Sequence, residues 1–153
     1  MRKLLVVLFL FTTIYTASAQ RSSVNWLNTE QLEEKYYLEP KPILIFLETS
    51  WCKICKMQLN TTFANDSVVK KVNDNFYAFT LNAENKDSLS FFNRSYRFNT
   101  AEKFHDLALY FGKHNNRMEF PTTVILDEKL QLLFRKAALV NSVEMLELLE
   151  GVE

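Results

Sequence analysis

The chain contains two cysteines, and only two residues separate them. Cys52 and Cys55 follow an almost wholly apolar run at 43–47, which is typical of a strand that is buried on both faces. A helix is expected to begin at Cys52, with a second helix at 67–75 and a strand at 76–81. This order predicts a right-handed βαβ unit. The cysteine pair would then lie at the carboxyl end of the first strand, where sites in open α/β sheets collect.

The rest of the sequence predicts further strands and helices around the same core. We expect a helix at 24–36, a β-hairpin within 89–98, a helix at 101–112, strands at 122–126 and 130–135, and a final helix from 142. Alternation of the two element types along the chain favours the α/β fold class.

Composition predicts a single globular domain. The 153-residue chain is 48% hydrophobic, and it carries 18 basic and 18 acidic residues. This apolar content is sufficient for one core and argues against disorder. The formal charge of zero gives no indication of a nucleic-acid partner. We therefore expect a monomer with one domain at 20–153.

Residues 1–19 have the pattern of a secretory signal peptide. Arg2 and Lys3 precede an apolar run at 4–15, and a small-x-small cleavage site follows at 17–19. The apolar run is shorter than the about 20 residues of an ordinary membrane span, although an uncleaved anchor is a second interpretation. We expect an exported protein. The periplasm is its preferred location, and secretion or anchoring by the signal segment are the alternatives. Disulfides persist in such compartments.

The two cysteines have the features of a redox-active dithiol. The thiolate is the nucleophile in thiol–disulfide exchange, and the N-terminus of a helix favours it by about half a positive charge. Cys52 would lie at such an N-terminus, with Lys53 and Lys56 adding positive charge nearby. Trp51 can shield one side of the sulfur from water. Cys55, one helical turn further along, can close a disulfide or resolve a mixed one.

Three other uses of the cysteines remain open on the sequence alone. A structural disulfide between them would close a short loop, and it would therefore restrict the unfolded chain little. A structural zinc ion has four ligands. Only His105 and His114 could join the two thiols, and the spacing between these histidines is unfavourable for two ligands on one helix. Thiolates can also bind copper. A haem-attachment motif fails because Lys56 stands where histidine is required. We expect no metal and no organic cofactor.

Two motifs together resemble the thioredoxin-fold family over roughly residues 24–150. They are the sequence W-C-K-I-C-K at 51–56, after an apolar strand, and F-P-T-T at 120–123, before another. The spacing of Cys55-Lys56-Met57, Phe63, Val68-Val69 and Asn75-Phe76 is similar to the exported thioredoxin-like branch of that family. The resemblance implies a central mixed β-sheet flanked by helices, with a hairpin-and-helix insertion before the proline strand.

The resemblance also implies roles for four residues. Cys52 is similar to the attacking thiol of the family, and Cys55 to the resolving thiol. Pro121 resembles the cis-proline beside the disulfide, since a cis bond before proline costs little and fixes a tight bend. The backbone of Phe120 would then face the substrate, where an extended peptide can pair with it as an added strand.

The sequence departs from the family pattern around the second cysteine. The dipeptide between the cysteines is Lys-Ile instead of the Gly-Pro of thioredoxin, and Phe46 occupies the position of the family's buried acid. Glu48 comes two residues later, on the same face of a strand. We hypothesise that Glu48 is a displaced proton acceptor for Cys55. The lysine partner of the family's acid is also replaced, by Thr80.

The function predicted from these observations is exported thiol–disulfide oxidoreduction, with a preference for reducing the disulfides of extracytoplasmic proteins. The expected partners are disulfide-containing clients and a redox partner that supplies electrons, which can be membrane-bound. An alternative from another class is a non-catalytic chaperone or metal-delivery protein on the same fold. For the oxidoreductase, the catalytic residues would be Cys52 and Cys55, and Phe120 and Pro121 would bind the substrate. The expected supporting residues are Trp51, Lys53, Glu48 and Lys56.

Overall fold

A computed structural model describes residues 23–152 of the protein. In chain order the elements are β1 (Trp26–Leu27), α1 (Thr29–Leu38), β2 (Ile43–Glu48), α2 (Lys53–Thr61), α3 (Asp66–Asn75), β3 (Tyr77–Asn82), β4 (Leu89–Phe91), β5 (Arg94–Tyr96), β6 (Phe98–Asn99), β7 (Phe104–His105), α4 (Asp106–Gly112), β8 (Thr122–Leu126), β9 (Leu132–Lys136) and α5 (Ser142–Glu150). The sequence predicted most of these elements, within a few residues at their ends.

A five-stranded mixed sheet forms the centre of the fold, in the order β1-β3-β2-β8-β9. The strands β1, β3 and β2 are parallel to one another. The pairs β2–β8 and β8–β9 are antiparallel. The parallel β2 and β3 are joined through α2 and α3, as a βαβ unit requires. The predicted mixed sheet with flanking helices is confirmed.

Two apolar clusters cover the two faces of β2, because alternate residues of a strand point to opposite faces. Leu44 and Phe46 belong to one cluster, with the buried side chains of α3 and α5. Ile43, Ile45 and Leu47 belong to the other, with the buried side chains of α1 and α4. The strand is fully buried from 43 to 47. This accounts for its unbroken apolar sequence.

The predicted β-hairpin is present as β4 and β5, with Leu89 opposite Tyr96. Phe92 and Asn93 form its turn with positive φ angles of 47° and 61°, as two-residue hairpin turns of this hand require. The hairpin lies against α1, where the backbone N–H of Phe92 donates to Glu33 at 2.8 Å. A second small ribbon, β6–β7, follows it. These pieces and α4 form the insertion before the proline strand.

Two predicted helix boundaries are wrong. The helix expected at 24–36 begins only at Thr29, because Trp26 and Leu27 pair with β3 as an edge strand. Asn28 then caps the helix in a reciprocal capping box with Gln31. The helix expected at 101–112 begins only at Asp106, because the chain first forms β7.

The predicted signal peptide at 1–19 lies outside the described residues. Within residues 23–152, no helix is both long and apolar enough to cross a membrane.

Candidate active site

The pairing of β2 with β8 brings the two predicted motifs together. Leu47, near the end of β2, lies opposite Thr122, the first residue of β8. The loop that carries the cysteines leaves β2 at this edge, and the Phe120–Pro121 peptide enters β8 there. That peptide bond is cis. Phe120 also packs against the apolar cluster that contains both cysteines.

A disulfide joins Cys52 to Cys55 at the start of α2, with an S–S distance of 2.03 Å. Cys52 is the N-cap residue of the helix, and its Sγ accepts a hydrogen bond from the backbone N–H of Cys55 at 3.0 Å. The backbone N–H of Cys52 donates to the carbonyl of Thr49 at 3.1 Å. The first sulfur is therefore held by an otherwise unpaired donor of the helix N-terminus.

The two cysteines differ little in burial. Cys52 is 3% exposed and Cys55 is fully buried. A buried thiolate without a cationic partner is unfavourable, because burial disfavours the charged form. The fully buried environment of Cys55 therefore favours its neutral forms, which are the thiol and the disulfide.

An exposed apolar surface surrounds the disulfide. Trp51 is 63% exposed, and Ile54 and Met57 on α2 are also exposed. The Trp51 ring lies edge-on to that of Phe120, with centroids 6.2 Å apart. The ring of Phe104 in β7 also contacts that of Phe120, with centroids 5.5 Å apart. Exposed apolar residues in one patch are typical of a binding surface.

Glu84 holds the loop before the disulfide, and no sequence pattern predicted this role. Its carboxylate accepts hydrogen bonds from Ser50 Oγ at 3.0 Å and from Trp51 Nε1 at 3.1 Å. The backbone N–H of Ala83 donates to the Glu48 carbonyl at 2.7 Å, which places Glu84 next to the end of β2. The only signal in the sequence was an acid shortly after the second strand of a βαβ unit.

Glu48 and the two lysines occupy different environments. Glu48 is half-buried at the end of β2, and burial raises the pKa of its carboxyl above its ordinary value of 4.5. The positive charge of Lys56 opposes this rise in pKa. Lys53 and Lys56 are exposed on α2. Solvent therefore weakens the effect of both lysine charges on the disulfide.

The position of the family's buried acid is apolar in the structure. Phe46 is fully buried, and its ring contacts those of Trp26 and Phe63 with centroids 6.3 and 5.1 Å away. Thr80 pairs with Phe46 in the sheet, and its hydroxyl donates to the Phe46 carbonyl at 3.3 Å. The acid and its lysine partner are thus replaced by a ring cluster and a strand hydrogen bond.

A buried polar side chain connects α2 to the proline strand. Gln58 is fully buried, and its side-chain amide donates to Thr123 Oγ1 at 3.2 Å. Its side-chain carbonyl accepts from the backbone N–H of Val140 at 3.1 Å. A satisfied buried network of this kind fixes the relative position of the elements that it joins. Gln58 therefore fixes the cysteine helix relative to β8.

The histidines do not join the cysteines. His105 is fully buried, its Nδ1 accepts from the backbone N–H of Leu107 at 3.2 Å, and its Nε2 lies 3.1 Å from the Asp87 carbonyl. These bonds make it a helix cap with Nε2 protonated. His114 lies next to Arg135. Residues 23–152 contain no group of three or more side chains that could hold a metal ion.

Comparison with known proteins shows the family. A family model described as a thioredoxin-like domain matches residues 30–153. The thiol:disulfide interchange protein DsbD of Campylobacter jejuni is 33% identical over 63 residues, which are 40% of this chain and 11% of that protein. The chain thus spans about a tenth of the length of this curated relative.

Solved structures show the same fold at low sequence identity. The DsbH oxidoreductase has a TM-score of 0.60 at 14% identity, over 85% of this chain and 84% of that one. A thioredoxin from Thermus thermophilus has a TM-score of 0.62 at 14% identity, over 85% and 87%. The C-terminal domain of Neisseria meningitidis DsbD has a TM-score of 0.55 at 14% identity, over 80% and 90%.

The chain belongs to the thioredoxin-like family, and it carries a disulfide between Cys52 and Cys55.

Replacing Glu84 should slow exchange at the disulfide without unfolding the protein. Glu84→Ala removes the acceptor that holds Ser50 and Trp51, and loss of about 0.5–1.5 kcal/mol of hydrogen bonding corresponds to a roughly two- to tenfold lower exchange rate. Glu84→Gln keeps one acceptor oxygen and should be intermediate. The exposed Glu34→Ala variant is the matched control. Second-order rates with a model disulfide, measured together with Trp fluorescence anisotropy, test this. A rate for Glu84→Ala equal to that of the control would contradict it.

Proposed function

We propose that the protein is an exported thiol–disulfide oxidoreductase that reduces disulfides of extracytoplasmic client proteins. The observation that carries this proposal is the position of Cys52 Sγ, which caps α2 and accepts the N–H of Cys55 at 3.0 Å. In the reduced protein the same donor, together with the positive end of the helix, stabilises a thiolate at Cys52. The protein acts as a monomer, with no metal or organic cofactor.

The reaction consists of two exchanges of sulfur–sulfur bonds. The Cys52 thiolate attacks one sulfur of the client disulfide, that S–S bond breaks, and the departing client thiolate takes up a proton. Cys55 then loses its proton and attacks Cys52, which releases the second client thiol. The client is reduced by two electrons and the Cys52–Cys55 pair is oxidised. A dithiol redox partner restores the pair by the reverse exchanges.

The environment of the disulfide supports net reduction. A pair is a strong oxidant when its reduced form is stabilised. Here the positive charges of Lys53 and Lys56 are exposed to solvent, which screens them, and Cys55 is fully buried. Burial disfavours the thiolate relative to the neutral disulfide. The N-terminus of α2 still stabilises the Cys52 thiolate, but the screened lysines add little to this, so the reduced form is stabilised less than in a strong oxidant and the reduced protein gives up its electrons.

The client binds on the exposed apolar surface around the disulfide. Trp51, Ile54 and Met57 contribute side chains to this surface, and Phe120 adjoins it. The backbone of Phe120, before Pro121, offers hydrogen-bonding groups to an extended client segment. Unfolded or flexible segments that carry a disulfide fit such a surface best.

Glu48 accepts the proton of Cys55 during the second exchange. Phe46 belongs to the cluster that contains both cysteines, and Glu48 lies two residues later on the same face of β2. The raised pKa of Glu48 makes its carboxylate a better base than an exposed one.

Export follows from the sequence pattern at residues 1–19, whose removal would leave one domain at 20–153. The compartment proposed first is the periplasm, with secretion or signal anchoring as alternatives. Because an oxidising compartment would otherwise keep the pair oxidised, the redox partner must bring electrons from elsewhere, and a membrane-bound dithiol protein would meet this need.

A second candidate function is non-catalytic binding, as a chaperone or metal-delivery protein. The exposed apolar surface at Trp51, Ile54 and Met57 favours the chaperone version, since such a surface can bind unfolded chains without exchange. The two functions differ in whether Cys52 forms a covalent bond to the client.

Mixed-disulfide trapping distinguishes the two functions. The Cys55→Ser variant cannot resolve the intermediate, and we expect it to form a covalent adduct with a disulfide-bridged model peptide that dithiothreitol reverses. The matched Cys52→Ser variant keeps only the fully buried thiol. It should form at least about tenfold less adduct, because Cys55 lacks the N-cap position that stabilises a thiolate at Cys52. Intact-protein mass spectrometry measures both. No adduct from Cys55→Ser would favour non-covalent binding, and equal adduct from both variants would contradict the role of Cys52 as the attacking thiol.

The role of Glu48 predicts a pH dependence. As the pH falls through the raised pKa of Glu48, its carboxylate becomes protonated and can no longer accept a proton, so the second exchange should slow. In Glu48→Gln, the rate of the second exchange should no longer fall over this pH range. At neutral pH the variant should be slower by about 10²-fold or less, which is at the lower end of the effects of general bases. Single-turnover rates from pH 4 to 8 test this. Superimposable profiles for the two proteins would remove Glu48 from the mechanism.

A further inference from the structure

A cavity lies beside the loop that leads into Pro121, outside the apolar surface around the disulfide. Its volume is about 520 Å³, and its lining comes from the chain between α4 and β8 and from the end of β9. The lining residues are Gly112, His114, Asn115, Arg117, Glu119, Arg135 and Ala137. It combines two guanidinium groups and one imidazole with a single carboxylate.

The cavity borders the candidate active site. Glu119 lines it and is followed directly by the cis Phe120–Pro121 peptide. Arg135 lies opposite Val124 in the sheet, so the cavity follows the first residues of β8 on the side of β9. The ring of Phe120 contacts that of Trp51 next to the disulfide. A client segment that crosses Phe120 would therefore reach both the disulfide and this cavity.

An imidazole nitrogen and a carbonyl oxygen hold the guanidinium of Arg135 in place. It donates to His114 Nδ1 at 2.8 Å and to the Lys113 carbonyl at 3.4 Å. Since arginine can only donate, His114 Nδ1 is the acceptor of this hydrogen bond. Arg135 is half-buried, and within residues 23–152 no carboxylate forms an ion pair with either Arg135 or Arg117. Within the described part of the chain, the cavity thus holds a positioned guanidinium that makes no ion pair, and the carboxylate of Glu119 is the one negative group in its lining.

We propose that this cavity binds a carboxylate side chain of the client, close to the client's disulfide. Fixed guanidinium groups recognise carboxylates through paired, charge-assisted hydrogen bonds. This inference rests on the proposed function and adds a substrate preference to it. Clients with an aspartate or glutamate near the reactive cysteine are reduced faster than clients with the corresponding amides.

The test uses matched disulfide-bridged peptides. Each carries one glutamate at a position from two before to two after the cysteine, and its control carries glutamine there. For at least one position, the reduced protein should react about three- to tenfold faster with the glutamate peptide. The reason is that a partly buried ion pair between arginine and carboxylate contributes more binding free energy than an exposed one. The preference should fall as NaCl concentration rises.

Arginine variants test whether the preference for glutamate peptides arises at this cavity. Arg135→Gln and Arg117→Gln should each lower the glutamate-to-glutamine rate ratio toward one while leaving the rates of the glutamine peptides unchanged within about twofold. Arg94→Gln, in β5 of the hairpin, is the matched control and should keep the full ratio. A loss that affects both peptides equally, or the same loss of ratio in Arg94→Gln, would overturn the proposal.

Inorganic phosphate distinguishes a client carboxylate from a free anion. At constant ionic strength it should slow only the glutamate peptides if the cavity binds the client. If phosphate protects the wild-type protein against heat more than it protects Arg135→Gln, while the peptide ratio is one, the site binds free anions and the client proposal is wrong. If the glutamine peptides are not reduced at all, the proposed function fails. If they are reduced without a preference, only this inference fails.

Discussion

The antiparallel pairing of β2 with β8 is the constraint on which the site depends. Each strand is buried on both faces and carries one motif at one end: the cysteines follow the last residue of β2, and Pro121 precedes the first residue of β8. Antiparallel pairing places these two ends at the same edge of the sheet. Gln58 adds a second connection, because its side-chain amide in α2 donates a hydrogen bond to Thr123 Oγ1. The disulfide therefore lies next to a backbone segment that can receive a client.

Around the paired strands β2 and β8, polar contacts and apolar contacts have different roles. The apolar clusters on the two faces of β2 hold the helices, while the contacts of Cys52 and Glu84 position the Cys52 sulfur and the loop before it. The apolar side chains of Trp51, Ile54 and Met57 remain exposed at the same edge. An exposed apolar surface beside a positioned sulfur is a suitable arrangement for exchange with extended, disulfide-bearing segments.

The parts of the fold that follow from local pattern could be predicted from the sequence. The run at 43–47 predicted a buried strand, and the strand at 122–126 was predicted with the bounds that β8 has. Trp26 and Leu27 could not be placed, because their strand exists only through pairing with β3. Glu84 and Gln58 were missed for a similar reason. Their partners are 33 to 82 residues away in sequence. The periodicity of apolar residues does not indicate contacts between residues so far apart.

The measurement that tests the account most directly is the reduction potential of the Cys52–Cys55 pair. The protein would be equilibrated with glutathione buffers and followed by its tryptophan fluorescence. A fully buried Cys55 and solvent-screened lysines predict a value near that of thioredoxin, about −270 mV. A value near −120 mV, as for strong oxidants, would contradict the reducing direction. A pair that does not equilibrate would contradict redox exchange itself.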